Sequence, residues 1–243
     1  MTLTTEKTVR EIAIENPATV RVFESLGIDY CCGGRRPLSE ACQHANVPLE
    51  RALELIAAAK SKPSSEGEWT GDRLAALTDH IVTRHHSFTR QELTRLEVLV
   101  EKVCSRHGNS HAELLSIQEL LKAMSQELFA HMLKEEQVLF PYIERLECSA
   151  DNGSPLPATC FGSVQMPIAR MLAEHDDAGE LLSQIRKLAG DFHAPEDACP
   201  SYRGLYAGLE EFERDLHRHI HLENNILFPR AVALERELLK PGR

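Results

Sequence analysis

One eleven-residue pattern occurs twice. "HMLKEEQVLFP" runs from His131 to Pro141, and "HIHLENNILFP" runs from His219 to Pro229, 88 residues later. Both read H-x-x-x-E-x-x-[VI]-L-F-P. A histidine precedes each copy at nearly the same distance, His86 by 45 residues and His175 by 44. The chain therefore reads as a duplicated helical hairpin, each half a helix with one histidine followed by a helix with a His–Glu pair.

Residues four apart share one face of a helix. In the second copy the face also carries Leu205, Leu209, Phe212, Leu216 and Ile226; in the first it carries Met124, Leu128, Val138 and Tyr142. His175 falls in phase with Ile168, Met171, Leu182 and Ile185. The His–Glu pairs thus lie on the apolar seam. Two surface ion pairs would be the plain alternative, but repetition on an apolar phase argues against it. Buried charges are costly unless paired or bound to metal. Four imidazoles and two carboxylates form a nitrogen–oxygen set suited to two transition-metal ions, iron before manganese, with the carboxylates as bridges. Ferritin-like bundles use Glu-x-x-His pairs, a different order and spacing.

The first-helix histidine is less sharply defined. Apolar phase favours His85 and the repeat spacing favours His86, with His86 ranked first. His80 faces away. His217 and His221 fall off the seam and read as solvated or supporting residues. His107 suits a helix C-terminus, and His111 and His193 read as surface residues.

Strand signals are nearly absent, so the fold class is all-α. Residues 1–60 read as a small domain of short helices around the turn "GIDYCCGGRRP", Gly27 to Pro37. Residues 61–72, "SKPSSEGEWTGD", read as a linker. Residues 73–243 read as four long helices, about 73–106, 111–146, 167–188 and 202–239, in an antiparallel four-helix bundle. Asp72 is the expected N-cap of the first. A net charge of −10 without a basic stripe argues against nucleic acid. No apolar run approaches the ~18 residues of a membrane span. The N-terminus lacks a signal-peptide pattern, which points to a cytoplasmic chain. Seven cysteines without a CxxC do not form a disulfide framework.

With these residues in hand, the chain resembles the iron–sulfur cluster repair di-iron family (Repair of Iron Centres). The carrying motifs are "NPATVRVFESLGIDYCCGG", "HMLKEEQVLFP", "EHDDAGELL" and "HIHLENNILFPRA". The resemblance spans nearly the whole chain and implies a Cys-Cys-Gly-Gly domain joined to a hemerythrin-like bundle. It implies a non-haem centre of two iron ions with His86, His131, His175 and His219 as ligands and Glu135 and Glu223 as bridges. It also implies a role in nitrosative and oxidative stress, with damaged iron–sulfur proteins as partners and NO or O₂ as the small ligand. Three activities remain open at this level: iron donation, NO binding without turnover, and NO reduction to nitrous oxide. So does the choice between monomer and homodimer.

Cys31 and Cys32 then read as accessory thiols rather than ligands. Gly33 and Gly34 permit unusual backbone angles that would expose the thiols, and Arg35 and Arg36 would favour thiolate. Replacing both by serine is expected to leave bound metal unchanged; metal analysis of the purified variant checks this, and loss of metal would return the pair to the ligand set.

Overall fold

The computed structural model describes residues 6–31, 33–59 and 69–240. All regular elements among them are helical. Helix α1 (Val9–Glu15) begins with a reciprocal cap: Thr8 Oγ1 accepts from the Glu11 N–H, and the Glu11 carboxylate accepts from the Thr8 N–H. Asn16 ends α1 and caps the turn Pro17–Thr19, which runs into α2 (Val20–Leu26). Gly27, at φ 64°, closes α2 in the left-handed region that glycine adopts without strain. Helices α3 (Leu38–His44) and α4 (Leu49–Ala59) complete this part. Its core gathers Val9, Ile12, Phe23, Leu38 and Ile56.

Four long rods follow: α5 (residues 74–107), α6 (113–152), α7 (Gln165–Leu188) and α8 (200–238). The N-terminus of α5 lies against the C-terminal part of α6, which sets the two antiparallel. Asp72 does not cap α5. Glu147 of α6 does, accepting from the Leu74 N–H at 2.6 Å and the Ala75 N–H at 3.1 Å. A carboxylate brought by a neighbouring helix satisfies the orphan donors and meets the positive end of the helix dipole. Of the segment read as a linker, 61–68 lie outside the described residues. The Trp69 and Asp72 carbonyls accept from Arg230 of α8, and the Trp69 ring lies 4.6 Å from that of His80.

The bundle has two apolar clusters. One contains Leu96, Val100, Leu121, Leu182 and Leu209; the other contains Leu77, Ile81, Leu139, Ile168 and Leu227. His86, His131, Glu135, His175, His219 and Glu223, all buried, belong to neither and occupy the positions between them in the helices. No described helix is long and apolar enough to cross a membrane.

The N-terminal helices dock on α8. Glu24 takes a two-pronged ion pair from Arg218 at 2.7 and 2.9 Å. Asn225 Nδ2 donates to the Tyr30 carbonyl, and the Asn225 carbonyl accepts from Arg10. The Tyr30 ring lies 5.4 Å from that of His221. His221 is therefore buried rather than solvated, and burial pushes its pKa down to about 4, leaving it neutral. His217 is half-buried beside the same tyrosine.

This docking corrects the expectation of an exposed thiol at Cys31. Cys31 is only 4% exposed and joins the apolar cluster that includes Leu216 and Ile220 of α8. The Asp29 carboxylate accepts from its N–H at 2.9 Å and sits 3.3 Å from its Sγ, while Arg35 and Arg36 face solvent. Cys32 lies outside the described residues. Gly34 is needed for close approach rather than for an unusual angle, since its φ is not positive. A Cβ on Gly34 would sit 2.5 Å from the Tyr30 carbonyl oxygen, a backbone atom that cannot swing aside. Gly34→Ala should therefore lower the unfolding free energy by about 1–3 kcal/mol, read by chemical denaturation.

Candidate metal centre

The repeated motif shapes its helices before it supplies ligands. A proline inside a helix has no N–H and crowds the carbonyl four residues earlier. Pro141 and Pro229 end the two copies, and in both the helix widens just ahead of them into a π-turn, Glu135–Leu139 and Leu222–Leu227. The Phe140 N–H donates to the Glu135 carbonyl and the Phe228 N–H to that of Glu223, five residues back. A third π-turn, Ile81–His86, ends on the first-helix histidine. Such insertions concentrate at functional sites. The wider turn also shifts the helical phase. Val138, expected on the seam, is 44% exposed, and Leu139 takes the core position at 1%. The phenylalanines of the two copies lie parallel to histidines: Phe140 faces His86 and Phe228 faces His175.

The structure brings together the six residues expected as ligands. His86 and His219 face each other with Nε2 atoms 3.1 Å apart, and His131 and His175 with Nε2 atoms 3.0 Å apart. Each pair takes one histidine from each half of the duplication. Glu135 Oε2 lies 3.4 Å from His86 Nε2 and 3.2 Å from His131 Nε2. Glu223 reaches both pairs with separate oxygens, Oε1 2.9 Å from His219 Nε2 and Oε2 3.1 Å from His175 Nε2. Two overlapping groups result, His86–Glu135–His219–Glu223 and His131–Glu135–His175–Glu223, each with its ligand atoms within 4.8 Å of one another.

Hydrogen bonding behind the rings fixes which nitrogen faces the centre. Nδ1–H of His86 donates to Glu136 at 2.6 Å, that of His131 to Glu174 at 2.9 Å, and that of His175 to Asn224 Oδ1 at 2.7 Å. With the proton on Nδ1, each Nε2 presents a lone pair inward. Lone pairs facing at about 3 Å beside two carboxylates require positive charge between them. No hydrogen bond satisfies either oxygen of Glu135, Oε2 of Glu223 or Nδ1 of His219. The electrostatics agree. Burial opposes a charged His86, but the Glu135 and Glu223 carboxylates outweigh it and lift the pKa to about 10. His131 rises to about 9 against the same burial, chiefly through Glu135. Burial also opposes the carboxylates, and the imidazoles hold both below the usual range. A proton joins two atoms. Four donor atoms converging in each of two overlapping groups fit the demand of two metal ions.

The supporting acceptors escaped the sequence reading, although the repeat contains two of them. Glu136 and Asn224 each follow the glutamate of a motif copy and each holds the lone histidine of its own half. Glu136 is itself paired with Arg90 at 2.7 Å. Glu174 precedes His175 and is gripped by Lys134 and Arg170. Burial works against its charge, but Lys134, His131 and Arg170 bring its pKa down to about 2. It borders a cavity of about 240 Å³ that reaches His131. His85 holds the place before His86 that Glu174 holds before His175, but it turns aside and pairs with Asp215 at 3.0 Å. Its ring lies parallel to that of His219, 5.8 Å away. His85 is thus buried beside the six-residue group and outside it.

Outer partners that orient metal-binding histidines typically carry 10–100-fold in affinity. Glu136→Leu and Glu174→Leu should each weaken metal retention by about that factor, while His85→Phe should leave it near the unsubstituted level. Chelator competition with metal analysis reads all three.

The comparisons with known proteins follow the same division of the chain. Residues 77–231 match the hemerythrin HHE cation-binding domain, and residues 5–60 match ScdA_N, a domain of unknown function. A probable iron–sulfur cluster repair protein of Haemophilus influenzae is 36% identical over 230 residues, covering 93% of this chain and 97% of that protein. The iron–sulfur cluster repair protein YtfE of Yersinia pseudotuberculosis is 36% identical over 221 residues, covering 91% and 94%. YtfE of Yersinia pestis matches with the same identity and coverage. A cation-binding bundle matched over more than half the chain, and relatives matched over nearly their whole length, place this chain in the iron–sulfur cluster repair family with a hemerythrin-like domain.

Proposed function

We propose that the six residues hold two iron ions, and that the chain uses this centre to restore iron–sulfur clusters damaged by nitrosative or oxidative stress. His86 and His219 would hold one ion, His131 and His175 the other, and Glu135 and Glu223 would serve both. The observation that carries the reading is the pair of histidine couples, 3.0 and 3.1 Å apart at Nε2, set over carboxylate oxygens without hydrogen-bond partners. When bound, iron in an imidazole–carboxylate set supplies a redox-active ion able to bind a diatomic ligand such as NO or O₂.

The protein's own contribution is orientation and access. Glu136, Asn224 and Glu174 fix three ring orientations. Phe140 and Phe228 cover two of the histidines from the apolar side. The cavity beside His131, with Glu127, Lys134, Arg170 and Glu174 in its wall, gives the centre a polar approach. In this reading residues 1–60 form a docking arm, 61–72 a tether and 73–243 the metal-holding bundle, acting in the cytoplasm. Cys31 and Cys32 serve as accessory thiols for a damaged iron–sulfur partner, and Cys31 meets that partner only when the arm lifts from α8.

Anaerobically purified protein should contain about two irons per chain, and His131→Ala with His219→Ala should abolish iron binding without unfolding the helices. An iron content unchanged by the double substitution would reject the assignment. Under reducing conditions with excess NO, more than one nitrous oxide per centre would identify a reductase. Stoichiometric nitrosylation without nitrous oxide would identify a binder.

A further inference from the structure

A second set of metal-type side chains lies at the end of the bundle reached by the C-terminus of α5. We propose that His107, His111 and Asp197 form a site for a divalent cation of the zinc class, separate from the candidate di-iron centre. One ligand atom from each of the three lies within 4.8 Å of the others. His107 is the last residue of α5, 21 residues beyond His86, or about 30 Å along a helix.

Local structure brings the two histidines together. The turn after α5 keeps one more helical hydrogen bond, His111 N–H to the His107 carbonyl at 2.9 Å, so the rings fall on the same side. Their centroids are 6.2 Å apart, and each lies 5.4 Å from the ring of Tyr202. His111 Nδ1 lies 3.1 Å from Glu113 Oε1 and its Nε2 3.1 Å from Asp197 Oδ2, so the ring is held between two carboxylates. In the neutral ring with its proton on Nδ1, the Nε2 lone pair and the Asp197 carboxylate face the same point, where a cation can replace the second proton. A carboxylate behind the histidine, as Glu113 stands behind His111, is the arrangement that orients zinc-binding imidazoles. The half-buried His107 ring makes no hydrogen bond to any described residue.

Asp197 is also held in place. Arg203 donates to the carbonyls on either side of it, Glu196 at 3.2 Å and Ala198 at 3.1 Å, and the Ala198 N–H closes a turn onto the Pro195 carbonyl. Two imidazoles and one carboxylate, with room for water on the exposed side, match an open zinc set better than a magnesium or calcium set, which is built from oxygen. A bound cation would tie the end of α5, the turn into α6 and the loop before α8.

The test uses the full chain, iron-loaded, dialysed against zinc and analysed for both metals. One further zinc per chain is expected, with iron unchanged. His107→Gln and Asp197→Asn, at half-buried and exposed positions far from the candidate di-iron centre, should each weaken zinc binding by at least about tenfold and leave the iron and the helical circular dichroism as they were. The His131→Ala, His219→Ala chain should keep the zinc. Uptake of no zinc beyond the iron sites, or equal uptake by the His107 and Asp197 variants, would reduce the cluster to an ion pair between His111 and Asp197 and overturn the proposal.

Discussion

Two fully buried carboxylates organise this protein. Glu135 and Glu223 are fully buried, and the groups within reach of their oxygens are imidazoles whose donor hydrogens are, for three of the four rings, committed elsewhere. A buried ion costs several kcal/mol unless positive charge meets it. The bundle has therefore been built as two apolar clusters with a charged layer between them. The features around that layer serve its geometry: π-turns widen three of the four ligand-bearing helices, phenylalanines lie against His86 and His175, and acceptors hold three of the rings from behind.

Duplication explains why the layer works and where it is unequal. Each histidine couple draws from both halves, so neither hairpin alone assembles a pair. The residue after each motif glutamate, Glu136 or Asn224, supports the lone histidine of its own half. The equivalence breaks at the residue before that lone histidine. Glu174 supports His131, but His85 at the corresponding place pairs with Asp215, and His219 is left with no acceptor at Nδ1. One couple is held from behind at both rings and the other at one. The couple containing His131 also borders the polar cavity, so the two candidate ion positions differ in both support and access.

Much of this was legible in the chain because it follows from periodicity. The apolar phase of His175 and the burial of both His–Glu pairs derive from spacings of three and four, whereas the second long helix runs on to Asn152, past its expected end near 146. The choice between His85 and His86 did not, since adjacent residues differ by only about 100° on a helix and both are buried here. Val138 misled for a related reason: the proline-driven π-turn inserts a residue and hands the core position to Leu139. Asp72 looked like a cap because local rules see only neighbours in sequence, whereas Glu147 reaches α5 from 73 residues away.

The cysteine turn marks the division most clearly. Composition and spacing by themselves determined an all-helical chain, a duplicated hairpin and a nitrogen–oxygen set of ligand type, because each is written in residue identity at helical intervals. Only the tertiary structure decided that the histidines couple across the halves, that Glu136, Asn224 and Glu174 orient them, and that Cys31 lies buried against α8 instead of exposed at a loop tip. Those outcomes depend on which surfaces meet, and no spacing along the chain encodes the distance between two helices that pack side by side.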